Sequence, residues 1–190
     1  DMSSDLKLSR CSLDRIIRDQ IHKYAGIFVS KKLTLTYESI SQDVLTDEKW
    51  LGFVIGQILS NALKYTPTGG KISISVKTEA SKVKIIVSDT GIGISPKEQK
   101  KLFTSFFRAS NAISSGTPGI GLGLLQAKRF AALLKGDIKV SSVVNQGSEF
   151  TLILNRVIVT NSAISVTTPV MERSVTTEST MPCDPDKDTL

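Results

Sequence analysis

Two apolar runs of period two lie almost end to end: Ile72, Ile74 and Val76, then Val83, Ile85 and Val87, with Glu79-Ala80-Ser81 between them. Residues two apart share one face of a strand, so each run describes a strand with one oily side. The short polar break predicts an antiparallel pair. A second such pair follows at Ile138–Val144 and Glu149–Leu154, turning over Asn145-Gln146-Gly147. A sheet with one apolar face needs a covering layer, so the chain must also supply helices.

It does. Leu13, Ile16, Ile17, Ile21 and Tyr24 fall at helical spacing, with Ser12 as the expected N-cap and Gly26 as the expected stop. Leu33, Leu35 and Tyr37 alternate with threonines and predict one more strand. Thr46 is the expected cap of a helix whose first turn holds Asp47 and Glu48, where negative charge suits the dipole. That helix runs through Trp50, Phe53, Val54, Ile58, Ala62 and Leu63 to the breaker run Thr66-Pro67-Thr68-Gly69-Gly70. A last helix is predicted over Gly121–Lys135, with Gly136 as its C′ residue. This order predicts an α/β two-layer sandwich, one sheet covered on one face by about three helices.

Composition narrows the function classes. With one histidine, His22, and cysteines only at 11 and 183, a multi-histidine metal site is excluded, and two free thiols in a reducing cytoplasm are expected. No run approaches the roughly 18 apolar residues of a membrane span, and the start is not a signal peptide. A soluble domain without membrane contact of its own is expected. A start at Asp1 reads as a piece cut from a larger protein, and a membrane anchor elsewhere in that protein is compatible with this chain. The net charge is +6, but residues 157–190 carry −3 and the rest +9. The lysines are scattered and aromatics are sparse, so a nucleic-acid partner is not expected; the basic body suits a small anion such as a nucleotide. Residues 1–156 read as one domain. Residues 157–190, with eleven Ser or Thr, three Pro and no aromatic, read as a tail or linker with at most a short strand near Val157–Val159.

Three constellations carry chemistry. Gln57, Asn61 and Lys64 lie at i, i+4 and i+7, one polar stripe on an otherwise apolar helix. An amide oxygen can ligate Mg²⁺ and an ammonium can meet phosphate; taken alone, the stripe also reads as a solvated face. Asp89-Thr90-Gly91-Ile92-Gly93 follows a strand, so the aspartate can accept from an exocyclic amine; taken alone, it is also an ordinary turn. Gly116-Thr117-Pro118-Gly119-Ile120-Gly121-Leu122-Gly123-Leu124 leads into a helix, where bare amides make an anion site; alone, it is equally a hinge. It matches neither the P-loop nor the dinucleotide fingerprint.

Their order and spacing say more than each piece. Asn61-Ala62-Leu63-Lys64-Tyr65-Thr66, Asp89-Thr90-Gly91-Ile92-Gly93-Ile94, the Leu-Phe-x-x-Phe-Phe-Arg run ending at Arg108, and Gly119-Ile120-Gly121-Leu122-Gly123-Leu124 resemble the N, G1, F and G2 boxes of the sensor histidine kinase catalytic domain. Gly147-Ser148-Glu149-Phe150 resembles its G3 signature. The wider superfamily includes DNA gyrase, the heat-shock chaperone ATPase and MutL. The resemblance spans about Leu8 to Leu154 and implies a Bergerat-type ATP-binding fold with a mixed, mostly antiparallel sheet. It implies ATP and Mg²⁺ as cofactors, with Asn61 and Gln57 as metal ligands. Lys64 would meet phosphate and Tyr65 would line adenine. Asp89 would accept the adenine amine, beside Gly91 and Gly93. Residues from about Ser95 to Pro118 would form a lid anchored by Phe106 and Phe107, with Arg108 reaching phosphate. Gly119, Gly121, Gly123, Leu124 and Ser148 would complete the pocket.

Two departures matter. The ATPase relatives have Glu, and histidine kinases usually Asn, where Gln57 stands. An amide cannot be a general base toward water, which disfavours hydrolysis as the main task. The family's H-E-x-x-x-P-like acceptor sequence is absent, and His22 lacks that context, so it reads as a surface residue. The implied partners are a histidine-bearing dimerisation domain and a response-regulator receiver. The Phe106–Ala112 sequence looks most like hybrid kinases, a resemblance that would put that receiver in the same polypeptide. A serine kinase of the anti-sigma-factor type and a non-catalytic nucleotide-binding module are the rival readings.

Overall fold

The computed structural model describes residues 6–114, 116 and 119–155. The chain divides into two units, Asp1–Val159 and Thr160–Leu190. The second lies wholly outside the described residues, as do the tail read at 157–190, the short strand read near Val157–Val159, Pro118 and Cys183.

The chain begins with β1 (Ser9–Ser12), α1 (Leu13–Lys23), α2 (Ala25–Ser30), β2 (Thr34–Tyr37) and β3 (Asp43–Thr46). Next come α3 (Glu48–Tyr65) and the hairpin β4 (Lys71–Thr78) and β5 (Lys82–Asp89). Short helices α4 (Pro96–Gln99) and α5 (Ser110–Ser114) precede α6 (Gly123–Leu133), and the hairpin β6 (Asp137–Val143) and β7 (Gly147–Asn155) ends the described chain.

Five strands form one sheet in the order β2-β4-β5-β7-β6. β2 runs parallel to β4 and every other pairing is antiparallel, so the sheet is mixed and mostly antiparallel. Its inner face holds Ile72, Ile74, Val83, Ile85, Val87, Ile138, Phe150 and Leu152, all buried with the helices in one core. The alternation in the sequence therefore marks the covered face as expected. β1 and β3 form a separate two-stranded sheet that the sequence did not suggest.

The central element is α3. Leu51, Val54, Ile55, Ile58, Leu59, Ala62 and Leu63 are all buried on it. On one side Gly52 and Gly56 admit α1 closely: the Gln20 amide lies over both, and the Tyr24 hydroxyl donates to the Gly56 carbonyl at 3.4 Å. On the other side Trp50 stacks on Phe130 of α6 with ring centroids 4.3 Å apart, and Phe53 meets the same ring edge-on at 5.0 Å. At its C-terminal end the Lys31 ammonium donates to the Leu63 carbonyl at 2.6 Å, a cation where exposed carbonyls gather.

Three local expectations change. The cap of α3 is Asp47, not Thr46: its carboxylate accepts from the Trp50 amide at 3.0 Å and from the Lys7 amide at 2.8 Å, while Thr46 ends β3. Gly26 does not stop the first helix; α1 ends at Lys23, and Gly26 lies inside α2, whose Phe28 joins the core. The left-handed residue after α6 is Lys135 (φ 56°), not Gly136. The Lys135 and Gly136 amides donate back to Ala132 and Ala131 at 2.9 and 2.8 Å, a Schellman pair that serves the last carbonyls.

Asp47 serves two amides from a buried position, so Asp47→Ala is expected to cost about 1–2 kcal/mol. Urea denaturation should show a lower midpoint with an unchanged slope.

Candidate functional site

A cavity of about 510 Å³ opens between α3, the end of β5, the segment Leu102–Ala112 and the start of α6. Most of the residues singled out in the sequence line it. Gln57, Asn61, Lys64 and Tyr65 come from α3; Asp89 and Gly93 from the end of β5 and the loop beyond it. Phe107 and Arg108 lie on the far wall, Gly119, Gly121, Gly123 and Leu124 on the glycine-rich lip, and Ser148 on β7. Burial of the rest of α3 leaves its 57-61-64 stripe facing this space.

Asp89 sits at the base of the cavity, 9% exposed, paired in register with Ser148 on β7. Burial lifts its carboxyl to about 6, and the backbone N–H groups of Gly91 and Ser148 pull it partly back. The Gly91 amide donates to Asp89 Oδ1 at 2.8 Å. A side chain at position 91 would strike both that oxygen and the Tyr65 carbonyl, each 2.6 Å from its Cβ. Gly91 therefore does not line the cavity; it stands behind the aspartate and fixes its orientation.

Phe106 is the second residue the structure leaves outside. It was expected to anchor the lid, yet it is 70% exposed, with a left-handed φ of 57°. That backbone turn sends neighbouring rings in different directions, so Phe107 alone packs against the core. A bulky residue rarely holds such a φ without strain. Arg108 lines the cavity half-buried, and its Nη2 donates to the Ala112 carbonyl at 3.3 Å. Gln57 reaches toward the lip: its Oε1 lies 2.5 Å from where a Cβ on Gly123 would stand, so a side chain there would displace the Gln57 amide. His22 is exposed on α1 and does not line the cavity.

The sequence reading missed an apolar floor of Ile92, Ile94, Leu102 and Phe150, and two polar wall residues, Asn111 and Gln126. Phe150 was open to inference, since it alternates inward on β7. Asn111 sits in a short stretch without periodicity and gives no signal.

The family described as histidine kinase-, DNA gyrase B-, and HSP90-like ATPase matches residues 46–158. The chain belongs to this family. It is 34% identical over 146 residues to the sensor-like histidine kinase SenX3 of Mycolicibacterium smegmatis, covering 76% of this chain and 38% of that protein. The chain spans less than half the length of such curated relatives. Full-length ShkA in complex with AMPPNP superposes with a TM-score of 0.68 at 22% identity, over 80% of this chain and 32% of that one. Histidine kinase ThkA in complex with the response regulator protein TrrA gives 0.67 at 20% identity, over 80% and 42%. These superpositions establish the histidine kinase-type ATPase fold.

In this member of the family, no group of three or more His, Cys, Asp or Glu that could hold a metal occurs among the described residues. Any cation here would take amide oxygens from the protein and its remaining ligands from phosphate and water, a set that suits Mg²⁺.

The raised Asp89 carboxyl gives a signed expectation. An unfolded aspartate titrates near 3.8 and this one near 6, so the folded chain binds the proton more tightly. The contribution favours folding below about pH 4 and is lost as pH rises through about 6. Asp89→Asn keeps an acceptor for the Gly91 amide and removes the charge. Between pH 4 and pH 8 it should gain on the unsubstituted protein by up to about 3 kcal/mol, read by urea denaturation at both pH values.

Proposed function

We propose that this chain is the ATP-binding catalytic domain of a two-component sensor histidine kinase, holding ATP with Mg²⁺ and presenting its γ-phosphate to a histidine outside residues 1–190. One observation carries the choice of transfer over hydrolysis. Among the described residues lining the cavity, Asp89 is the only carboxylate, and it is bonded to the Gly91 amide. The α3 stripe offers Gln57, an amide, where a water-activating base would need a carboxylate. Catalysis then rests on positioning and charge neutralisation, which is how phosphoryl transfer is generally assisted.

The cavity lining supports a role for each residue. Asp89 accepts the exocyclic amine of adenine over the floor of Ile92, Ile94 and Phe150. Tyr65 borders the base. Asn61, with Gln57 beside it, supplies amide oxygen to Mg²⁺, and Lys64 meets phosphate. The amides of Gly119, Gly121 and Gly123 line the anionic end at the start of α6. Arg108 adds positive charge from the opposite wall. Ser148 supports Asp89 from the neighbouring strand.

The similarity to sensor histidine kinases supports a reading of the partners. The acceptor histidine belongs to a dimerisation domain of the same kinase, and the phosphate passes on to a response-regulator receiver. Residues 157–190 would be a linker, suited to a receiver in the same polypeptide. The domain would work on the cytoplasmic side of a membrane-anchored sensor; among the described residues no helix is long and apolar enough to cross a membrane.

Calorimetry should show ATP·Mg²⁺ binding. Asn61→Ala should weaken it at least about tenfold in the presence of Mg²⁺ and far less in its absence. Asp89→Asn should cost about ten- to a hundredfold with either, as expected for a hydrogen bond to a charged group. The chain alone should incorporate negligible label from radioactive ATP, and an added histidine-bearing hairpin should become labelled in acid-labile form. Acid-stable phosphoserine, or label on His22, would overturn the assignment.

A further inference from the structure

Two side chains tie the described part of the segment between α4 and α6 to its surroundings over the cavity. Asn111, near the start of α5, donates its Nδ2 to the Gly93 carbonyl at 2.8 Å and to the Ile92 carbonyl at 3.3 Å. The Ile92 carbonyl also accepts from the Asn145 amide in the β6–β7 turn at 2.8 Å. Asn111 thus ties the covering segment to a loop already fixed to the sheet. Glu98, on α4, makes the second tie. Its Oε1 accepts from the Ser110 amide and from the Ser110 hydroxyl, both at 2.8 Å, and its Oε2 accepts from the Ser95 hydroxyl at 2.7 Å.

The Asn111 tie is chemically lopsided. Both donor bonds are made, but Oδ1 is buried and accepts no hydrogen bond among the described residues. Swinging the segment away would break two bonds to carbonyls and return that oxygen to water. A buried acceptor without a partner is costly, and hydration would recover the cost. At this one contact the two changes oppose each other. A contact of that kind suits a part that must open on every nucleotide exchange. A fully satisfied network would hold the segment shut.

We propose that Asn111, seconded by Glu98, is the latch that fixes residues 109–114 over the cavity and sets how fast bound nucleotide leaves. Asn111 is a positioning residue: it acts on nucleotide through the loop at Ile92–Gly93 and the segment it fastens. The proposal about release rests on the ATP reading of the cavity; the latch itself does not.

The test uses Asn111→Leu, which keeps the shape while removing both donors and the buried acceptor, and Glu98→Ala at a partly exposed position. Hydrogen exchange on the nucleotide-free protein reads the latch directly. Amides at 109–114 should exchange about three- to tenfold faster in each variant, with those of α1 unchanged and the melting temperature little moved. Stopped-flow release of a fluorescent ATP analogue should accelerate by a similar factor, about three- to tenfold. Unchanged exchange at 109–114 overturns the latch, and faster exchange with unchanged release overturns its control of the nucleotide. If Asn111→Leu fails to melt cooperatively, Glu98→Ala carries both readouts. If the unsubstituted chain binds no analogue, the functional reading fails, while the exchange result still decides whether the latch exists.

Discussion

Helix α3 is enclosed on three sides: α1 lies against its glycines, α6 against its aromatic residues, and the sheet beneath. Its nine buried residues leave little freedom for the helix to rotate or slide. A turn of one residue, about 100°, would drive Gln57 or Asn61 into hydrocarbon and bring a leucine into the cavity. The hydrophobic packing of this one helix therefore fixes where the polar stripe points. The ends of the helix are held as firmly, by the Asp47 carboxylate at one and the Lys31 ammonium at the other. The rest of the site is built against that fixed reference: Asp89 from the sheet, the glycine lip from α6, and the Phe107–Arg108 wall from the segment between.

What could be read from the sequence followed how each feature is encoded. The two hairpins and the buried sides of α1 and α3 were legible because burial repeats with the period of the element. β1 and β3 were not, because each has four residues and they pair only with each other. With Cys11 the sole buried position in β1, no alternation can show. The site residues on α3 and at the end of β5 were legible because their chemistry and spacing recur together. Gly91 and Phe106 were expected at the pocket and its lid, and neither lines the cavity. Gly91 is required by the crowding of Asp89 and Tyr65 behind the cavity wall, and a sequence cannot say on which side of a wall a glycine stands. Phe106 turns outward because of a left-handed φ that nothing in its residue type favours.

The same reasoning explains why Asn111 escaped notice. Its partners are the backbone carbonyls of Ile92 and Gly93, which every residue possesses, so no complementary side chain marks the pairing in the sequence. The division of labour in the site is consistent with this. Cavity side chains with a distinctive functional group, such as the Asp89 carboxylate and the Asn61 amide, stand in recognisable motifs. Work done by backbone, by close approach or by a single tether leaves almost none.

The stack of Trp50 on Phe130 has a consequence outside folding and catalysis. It is the protein's one tryptophan, and it sits where α3 meets α6, the helices that bear Asn61 and Gly123. Those helices approach the cavity from different sides, and a ring 4.3 Å from its neighbour senses any change in their spacing. Indole emission depends on such contacts and on access of water. The molecule therefore carries its own optical gauge of the distance between the two helices that line the cavity, without an added label.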